Sequence, residues 1–396
     1  SSLSADPSSD PITVLFVVTE DWSFMLHRLP QARAALDLGY RVVVATRVTA
    51  DRARIEAEGV IVEPVPFDRA GTHPLRELRV VARLWRVIRR HRPRILHVVA
   101  VKPITDAGLA ALPFPRLSVL NAFTGLGSVL GTPGARGWLQ VLISAIIRVT
   151  VWANRSHALV QNLDDRRDVL DRGFAAPERL HVIRGSGVDV RGLQPTPEPP
   201  GPIVATMVSR ILWDKGVAEL VEAARILRAR GVQVTVRLVG DRDPANPNSA
   251  GADDLRRWRA AGDIELPGYS TDVRQVWAES HIAVLPSYRE GMPKSLLEPA
   301  ACGRPLVTTD TTGCRDLVPD GETGILVPLY DAEALADAIQ RLSEDPEMRR
   351  RLGANARALA EREFSEARVI ADTQALYRAL AVESAPRVKR TAPRTD

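Results

Sequence analysis

The sequence predicts an α/β protein made of two Rossmann-like, doubly wound domains facing a central cleft. Three observations predict it. Short β-branched runs alternate with helix-period segments, the pattern of parallel strands buried on both faces. The alternation stops once, in the proline-rich stretch "RGLQPTPEPPGP" (191–202), and restarts beyond it. The length, 396 residues, is too great for one ordinary core.

Taken in order, "SSLSADPSSD" (1–10) lacks the charged and apolar regions of a signal peptide and reads as a disordered lead. The first domain, 11–190, carries strands at 12–19, 41–46, 94–100, 117–123, 157–162 and 180–185. Helical patterns separate them at 28–38, 75–91 and 136–154. The apolar run 138–155 is interrupted by Arg148 and falls short of the ~18 uncharged residues of a spanning helix, so it reads as a buried domain helix. Residues 191–202 form a linker with no amphipathic face. The second domain, 203–362, has strands at 203–209, 234–240, 264–268, 282–286, 304–310 and 324–328. Its helices fall at about 216–230, 252–261, 272–279 and 293–302. The closing helical segment breaks near Phe364, leaving a terminal helix over 363–383 and a disordered basic tail over 384–396.

Composition narrows the function classes. Lys and Arg total 53 against 48 Asp and Glu, a net charge of +5, which suits anionic substrates or a membrane surface and is too weak for nucleic acid. Cys302 and Cys314 supply neither a disulfide framework nor a metal cluster, and indicate a reducing, cytoplasmic compartment.

In an open parallel sheet the ligand crevice lies beyond the carboxyl ends of the strands. The loop after the first strand, "TEDWSFMLHRLP" (19–30), has no G-x-G-x-x-G, which counts against a nicotinamide or flavin enzyme. His27 there is either a substrate contact or a helix-face histidine. Lys102, with Asp106 nearby, follows the 94–100 strand as an acceptor-phosphate contact or an exposed loop lysine. In "VSRILWDKG" (208–216), Arg210 and Lys215 precede a helix and make a diphosphate site or two solvated cations.

"LPSYREGMPKSLLEPAACGRP" (285–305) is the most informative stretch. Pro293 suits the first turn of a helix that Gly303 and Pro305 end. The N–H groups of Gly291, Met292, Pro293's neighbours Lys294 and Ser295, and the helix dipole, attract an anion. Pro299 inside the helix predicts a kink or a short first segment. Glu290 before the helix and Glu298 within it would repel phosphates, and suit sugar diols, each carboxylate accepting a pair of hydroxyls. The other reading is an ordinary capped helix with surface glutamates.

With these residues quoted, the chain resembles the retaining family-4 glycosyltransferases of GT-B fold, and within them a bacterial subgroup that builds surface or lipid-linked oligosaccharides. Four elements carry the resemblance in register: Glu290-x7-Glu298, "TTGCRDLVPDGETGILVP" (311–328), the "SRILWDKG" pair and "IRGSGVDV" (183–190). The resemblance implies that 11–190 is an acceptor domain, that 203–362 binds the nucleotide sugar, and that the terminal helix packs back on the first domain. It implies that Arg210 and Lys215 contact the donor diphosphate, Glu298 the ribose and Glu290 the donor sugar, with no metal and no cofactor beyond a UDP-linked sugar. Glu290, Arg210 and Lys215 are then the catalytic set.

Two departures limit it. The family's Gly-Gly loop after the first strand is replaced by "EDWSFMLHRLPQA", and Thr124-Gly125 stand where many members have His-Gly. The catalytic histidine of that pattern is not carried over, and Thr124 and Gly125 join His27 and Lys102 as acceptor-side candidates. The helix 76–92 carries a row of arginines with Trp85 and reads either as a solvated basic face or as a dock for anionic lipid, with peripheral association on the inner face of the membrane. The expected reaction is sugar transfer to a glycan or polyprenyl-diphosphate acceptor. The alternatives are a nucleotide-sugar 2-epimerase of the same fold and a non-catalytic sugar-nucleotide-binding subunit.

Overall fold

The computed structural model describes residues 11–67, 74–124, 137–244 and 246–384. The expected lead 1–10, the tail beyond Ser384, and Gly125 lie outside the described residues. Two compact units emerge: the described residues through Ile183 together with those from Ile370 onward, and Arg184–Val369.

In the first unit seven parallel strands are β1 (Thr13–Glu20), β2 (Arg41–Arg47), β3 (Ile61–Pro64), β4 (Ile95–Val99), β5 (Ser118–Ala122), β6 (His157–Val160) and β7 (Leu180–Val182). Their order is β3-β2-β1-β4-β5-β6-β7, so the sheet reverses direction of growth between β1 and β4. Val14 of β1 pairs with Val42 on one side and Ile95 on the other. On one face Leu15, Leu96 and Val98 meet Leu84 and Ile88 of helix Pro74–His91, Ile104 of helix Val101–Ala111, and Ile147 and Val151 of helix Gly137–Ala153. On the other face the His97 Nδ1 lies 2.6 Å from the Tyr377 hydroxyl, and the Ser118 hydroxyl donates to the Leu380 carbonyl at 3.1 Å. Burial, and then the charge of Arg28, hold the His97 imidazole well below its usual pKa, so it is a neutral structural group.

Two expectations for this unit change. The stretch 19–30, read as a loop, contains the helix Asp21–His27, which begins directly at the end of β1. The Asp21 carboxylate explains this: it accepts from the Thr49 N–H and hydroxyl (2.6 and 2.5 Å) and the Asp51 N–H (3.1 Å), tying the helix start to the loop after β2. The run 138–155, read as a buried helix, forms Gly137–Ala153 but buries Ile147, Thr150 and Val151 while leaving Val141, Val149 and Trp152 exposed. Apolar content alone does not distinguish a helix packed all round from one with an uncovered face.

The second unit repeats the order with six parallel strands: β8 (Ile203–Val208), β9 (Val234–Val239), β10 (Glu265–Gly268), β11 (Ile282–Leu285), β12 (Leu306–Thr309) and β13 (Gly324–Val327), arranged β10-β9-β8-β11-β12-β13. β8 and β11 are neighbours, Ile282 against Ala205 and Ala283 against Thr206. The proline-rich segment 191–202 has no helix or strand, yet arginines of this unit pin it. Arg357 donates to the Val190 and Leu193 carbonyls (2.8 and 2.6 Å), Arg304 to the Thr196 hydroxyl (2.6 Å), and buried Arg349 forms a bidentate pair with Glu198 (2.8 and 3.0 Å).

Burial pushes the Glu198 carboxyl upward, but the hydrogen bonds and charge of Arg349, helped by His281 and Arg304, outweigh it and hold the pKa below the usual range. A depressed carboxylate stabilises the fold above its unfolded pKa and loses that contribution as pH falls through the folded value. Glu198→Gln is therefore expected to lower Tm at pH 7, by up to ~3–5 kcal/mol of stability because Arg349 stays buried without its acid. The difference from the wild-type chain should shrink below about pH 4. Melting curves at pH 7 and 3.5 check this, and equal Tm values at pH 7 would refute it.

Candidate functional site

β8 and β11 end side by side where the second sheet reverses, so the loops that follow them share one crevice. They are sewn together by backbone. The Tyr288 N–H and the Ser287 hydroxyl both donate to the Asp214 carbonyl, at 2.9 and 3.1 Å. Gly216 has φ +74°, and a Cβ on it would lie 2.0 Å from the Pro286 carbonyl oxygen, so no other residue fits there.

This seam sets the side chains. Lys215 ends a 3-10 turn, Trp213–Lys215, and its Nζ lies 2.5 Å from Glu290 Oε1, both groups mostly buried. Arg210 sits on the same loop, half exposed, with its guanidinium 2.8 Å from Asp243. An exposed pair of this kind contributes only ~0–1 kcal/mol, so Arg210 can exchange Asp243 for an incoming anion at little cost.

A third wall comes from the loop after β12. The Glu290 N–H donates to the Thr312 carbonyl at 3.1 Å, the Thr311 hydroxyl to the Tyr288 carbonyl at 2.8 Å, and the Thr309 hydroxyl to the Ser287 carbonyl. Gly313, at φ +77°, would place a Cβ 2.5 Å from the carbonyl oxygens of both Glu290 and Gly291. Behind it the Cys314 thiol is fully buried and pushed up to about 12, first by burial and then by the Glu290 charge, so it is inert. From the other direction Gly185 of "IRGSG" is close enough to Met292 that a Cβ would meet its Cγ at 2.7 Å.

The helix after β11 runs Lys294–Ala301. Pro293 is its extended N-cap rather than a first-turn residue, and the N–H groups of Lys294 and Ser295 open the helix without intrahelical partners. Pro299 removes the donor that would reach the Ser295 carbonyl, yet the helix continues through it, anchored by the Cys302 N–H on Glu298 and the Arg304 N–H on Pro299. Glu298 differs from Glu290. It is partly buried and accepts no hydrogen bond from the described residues, and burial raises its pKa to about 7 against the pull of Lys294 one turn away.

The second unit thus pairs Lys215 with Glu290 and carries Arg210, Glu298 and the segment Gly291–Ser295 on the loops and helix that follow the neighbouring strands β8 and β11. Four contributors escaped sequence reading: Asp214, through its carbonyl; Gly216 and Gly313, through close approach; and Tyr288, whose hydroxyl donates to both Glu219 oxygens at 2.9 Å. The glycine before a helix and the glycine in "TTG" were the available signals.

The first-unit candidates stand on separate elements. His27 ends the helix Asp21–His27, and Thr124 follows β5 partly exposed. Lys102 opens helix Val101–Ala111 beside β4, its Nζ 2.9 Å from Glu77. Asp106, one turn on, is buried, and its carboxyl is raised to about 7 by burial and by Glu77, partly offset by Lys102. Among the described residues no cluster of three His, Cys, Asp or Glu is placed to hold a metal ion.

Comparison with known proteins places family models on both units. A model described as glycosyl transferases group 1 matches residues 193–359, and one described as glycosyl transferase 4-like matches 13–149. The chain is 29% identical over 344 residues to the alpha-D-kanosaminyltransferase of Streptomyces kanamyceticus, covering 79% of this chain and 86% of that one. It is 35% identical over 153 residues to the N,N'-diacetylbacillosaminyl-diphospho-undecaprenol alpha-1,3-N-acetylgalactosaminyltransferase of Campylobacter jejuni, a match spanning 39% of each chain. In fold it is similar to Anabaena HepE, solved in complex with UDP-glucose, with TM-score 0.72, 18% identity, and 93% and 100% of the two chains covered.

The Glu298 environment has a measurable consequence. With its folded pKa raised above the ordinary carboxyl value, protonation favours the folded state, and stability falls as pH rises from about 4 through 7. Glu298→Gln is expected to raise the Tm of the ligand-free protein at pH 8, with the gap closing toward pH 4. A lower Tm for the variant at pH 8 would mean that the carboxylate is stabilised by a partner and would sink this account of the site.

Proposed function

Because the chain belongs to the glycosyl transferases, with a 4-like first part and a group 1 second part, we propose that it moves a sugar from a nucleotide-sugar donor to a glycan or polyprenyl-diphosphate-linked acceptor during assembly of a bacterial cell-surface polysaccharide or glycoconjugate. The observation that carries this reading is the strand-end crevice of the second unit, where an exchangeable cation, a lysine–glutamate pair, free helix N–H groups and an unpaired carboxylate converge. Diphosphate, sugar and ribose each find a matching group there.

In this reading Arg210, Lys215 and the N–H groups of Met292, Lys294 and Ser295 take the donor diphosphate. Glu298 has no side-chain hydrogen-bond partner among the described residues, and in this reading its partners are the ribose hydroxyls, which recover the cost of keeping it ionised. Glu290, held by Lys215, faces the transferred sugar. The bond from the anomeric carbon to the phosphate oxygen breaks first, its electrons passing to the leaving diphosphate, where Lys215 and Arg210 stabilise the charge. The acceptor oxygen bonds to the same face of the oxocarbenium-like carbon, giving retention, and its proton goes to the leaving phosphate oxygen. Lysine and arginine do the work of a metal, so the reaction is metal-independent. HepE was solved with UDP-glucose, which supports a UDP-linked donor, and the Campylobacter relative's name specifies a diphospho-undecaprenol acceptor, which supports a lipid-linked one. The first unit, with His27, Lys102, Thr124 and Gly125, takes the acceptor, and the protein works at the inner face of the cell membrane.

Substitution separates the roles. Lys215→Ala and Arg210→Ala should weaken nucleoside-diphosphate binding and slow transfer, Lys215→Ala by about 10²-fold in kcat. Glu298→Ala should chiefly raise donor KM, about tenfold or more, and Glu290→Ala should chiefly lower kcat. Transfer from a UDP-sugar panel, with the product's anomeric configuration read by NMR, measures all four. Undiminished transfer in the Glu290→Ala/Glu298→Ala variant would overturn the assignment.

A further inference from the structure

A pocket of about 410 Å³ opens on the second unit between helix Val217–Ala229, helix Ala252–Ala261 and the turn after β13. It is rich in aromatic rings for this chain. The sequence holds 7 tryptophans and 5 tyrosines, and two of each meet at this place: Trp213, Trp258 and Tyr330 line the pocket, and Tyr288 packs against Tyr330. Trp213 meets the buried Trp258 edge to face, with ring centroids 6.0 Å apart, so one indole holds the other in place. The Tyr330 ring centroid lies 4.4 Å from that of Tyr288, whose hydroxyl is fixed by both Glu219 oxygens at 2.9 Å.

Tyr330 stands there at a backbone cost. Its φ is +61°, the left-handed region, which costs a residue with a side chain ~1–2 kcal/mol and which glycine or asparagine enters more readily. The ring is nevertheless 66% exposed, so the core gains little from it. The contact with Tyr288 returns ~0.5–1.5 kcal/mol, about what the backbone loses. A ring kept in strained backbone and left open to solvent is placed for something that arrives. Charge shows what kind of ligand fits. The ionisable groups lining the pocket are Glu219, Glu222, Arg225 and Arg257, two acids and two bases. Arg225 is already engaged by Asp263 and Glu222, at 2.9 and 3.2 Å, and Arg257 by Asp254. A phosphate would find those cations neutralised and two carboxylates opposing it. A neutral ligand with an apolar face and hydroxyls at its rim finds both of its needs met: rings for the face, and carboxylates that accept hydroxyls in pairs. A sugar ring, with its C–H face and hydroxyl rim, is such a ligand.

We infer that this pocket is a second, non-catalytic binding site for a neutral saccharide chain, its sugar faces resting on Trp213 and Tyr330 and its hydroxyls donating to Glu219 and Glu222. Glu219 can serve both partners, because each of its oxygens keeps a lone pair beyond the one that Tyr288 uses. The site is separate from the strand-end crevice: none of Lys215, Glu290 and Glu298 lines it, although Trp213 and Lys215 belong to one 3-10 turn. The inference rests on the proposed sugar transfer for its purpose. A second hold on the glycan keeps its chain near the enzyme between encounters and raises the effective concentration of the acceptor.

Saturation-transfer NMR on the full-length protein, with UDP present, measures binding of neutral hexasaccharides of glucose and of N-acetylglucosamine. The expected result is binding of at least one of them, weakened about tenfold by Tyr330→Asn. Tm and UDP affinity should stay unchanged in that variant, since asparagine accepts the left-handed backbone. Where Tyr330→Asn does lower Tm, Ala218→Gln decides: residue 218 is exposed and lines the pocket, so the longer side chain narrows it without touching the core, and binding should weaken likewise. Wild-type protein that binds neither hexasaccharide, or binding undiminished in these variants, would overturn the inference. So would binding lost in Glu290→Ala and kept in Tyr330→Asn, which would put the saccharide in the strand-end crevice. The measurement needs no turnover, so absence of transfer with hexasaccharide binding intact would strike only the proposed function.

Discussion

The Asp214 carbonyl is the fixed point of the second unit's chemistry. It accepts from both the Tyr288 N–H and the Ser287 hydroxyl, joining the loop after β8 to the loop after β11 at the place where the sheet changes direction. Gly216 makes that closeness sterically possible, and the Lys215–Glu290 pair forms because the two loops can no longer separate. The loop after β12 then locks Glu290 from behind through Thr311, Thr312 and Gly313. Flexible lysine and glutamate side chains become a positioned pair because their backbones are fixed by contacts that no substitution at either residue would change.

Much of this was legible in the sequence and some was not, for definable reasons. Strands buried on both faces leave continuous β-branched runs, so β8 to β13 and the helices between them could be read within a residue or two. Arg210, Lys215, Glu290 and Glu298 could be placed beyond strand ends because parallel topology puts ligands there. What sequence could not supply was pairing. It gives Glu290 and Glu298 the same chemistry eight positions apart, whereas the fold gives one a lysine and leaves the other, with a raised pKa, no hydrogen-bond partner among the described residues. Helix Gly137–Ala153 failed differently: its composition suits a buried helix and an interfacial one equally, and only the position of Ile147 and Val151 against the sheet shows which face is left over. The proline-rich 191–202 was legible as irregular chain but not as chain clamped by Arg304, Arg349 and Arg357.

The unpaired Glu298 illustrates how a binding site and a stable fold pull apart. A partly buried carboxylate without a hydrogen bond costs free energy in the empty protein, and the fold carries that cost locally while Leu296 and Leu297, beside it on the helix, are fully buried in the core. Glutamine at 298 would relieve the cost and forfeit the ionised acceptor. Stability alone gives no reason for a glutamate there, and the ribose contact of the proposed function would supply one.

The two units share a strand order, and the difference between them lies at the first strand end. After β8 the chain makes a loop closed by Gly216, and the cations on it can meet an anion. After β1 a helix begins at once with Asp21, whose carboxylate already accepts the N–H groups of Trp22, Thr49 and Asp51 and the Thr49 hydroxyl. Those donors are the ones a phosphate would need, and they are occupied by an internal anion. Burial presses the Asp21 carboxyl upward, but these hydrogen bonds hold its pKa below the usual value, so it stays charged and repels a second anion at neutral pH. One fold therefore yields one strand end with a half-exposed arginine and one whose donors are already held by an internal anion. In the proposed reading a nucleoside diphosphate takes its place in the second unit, and whatever the first unit holds would bind by other means than the start of the helix after β1.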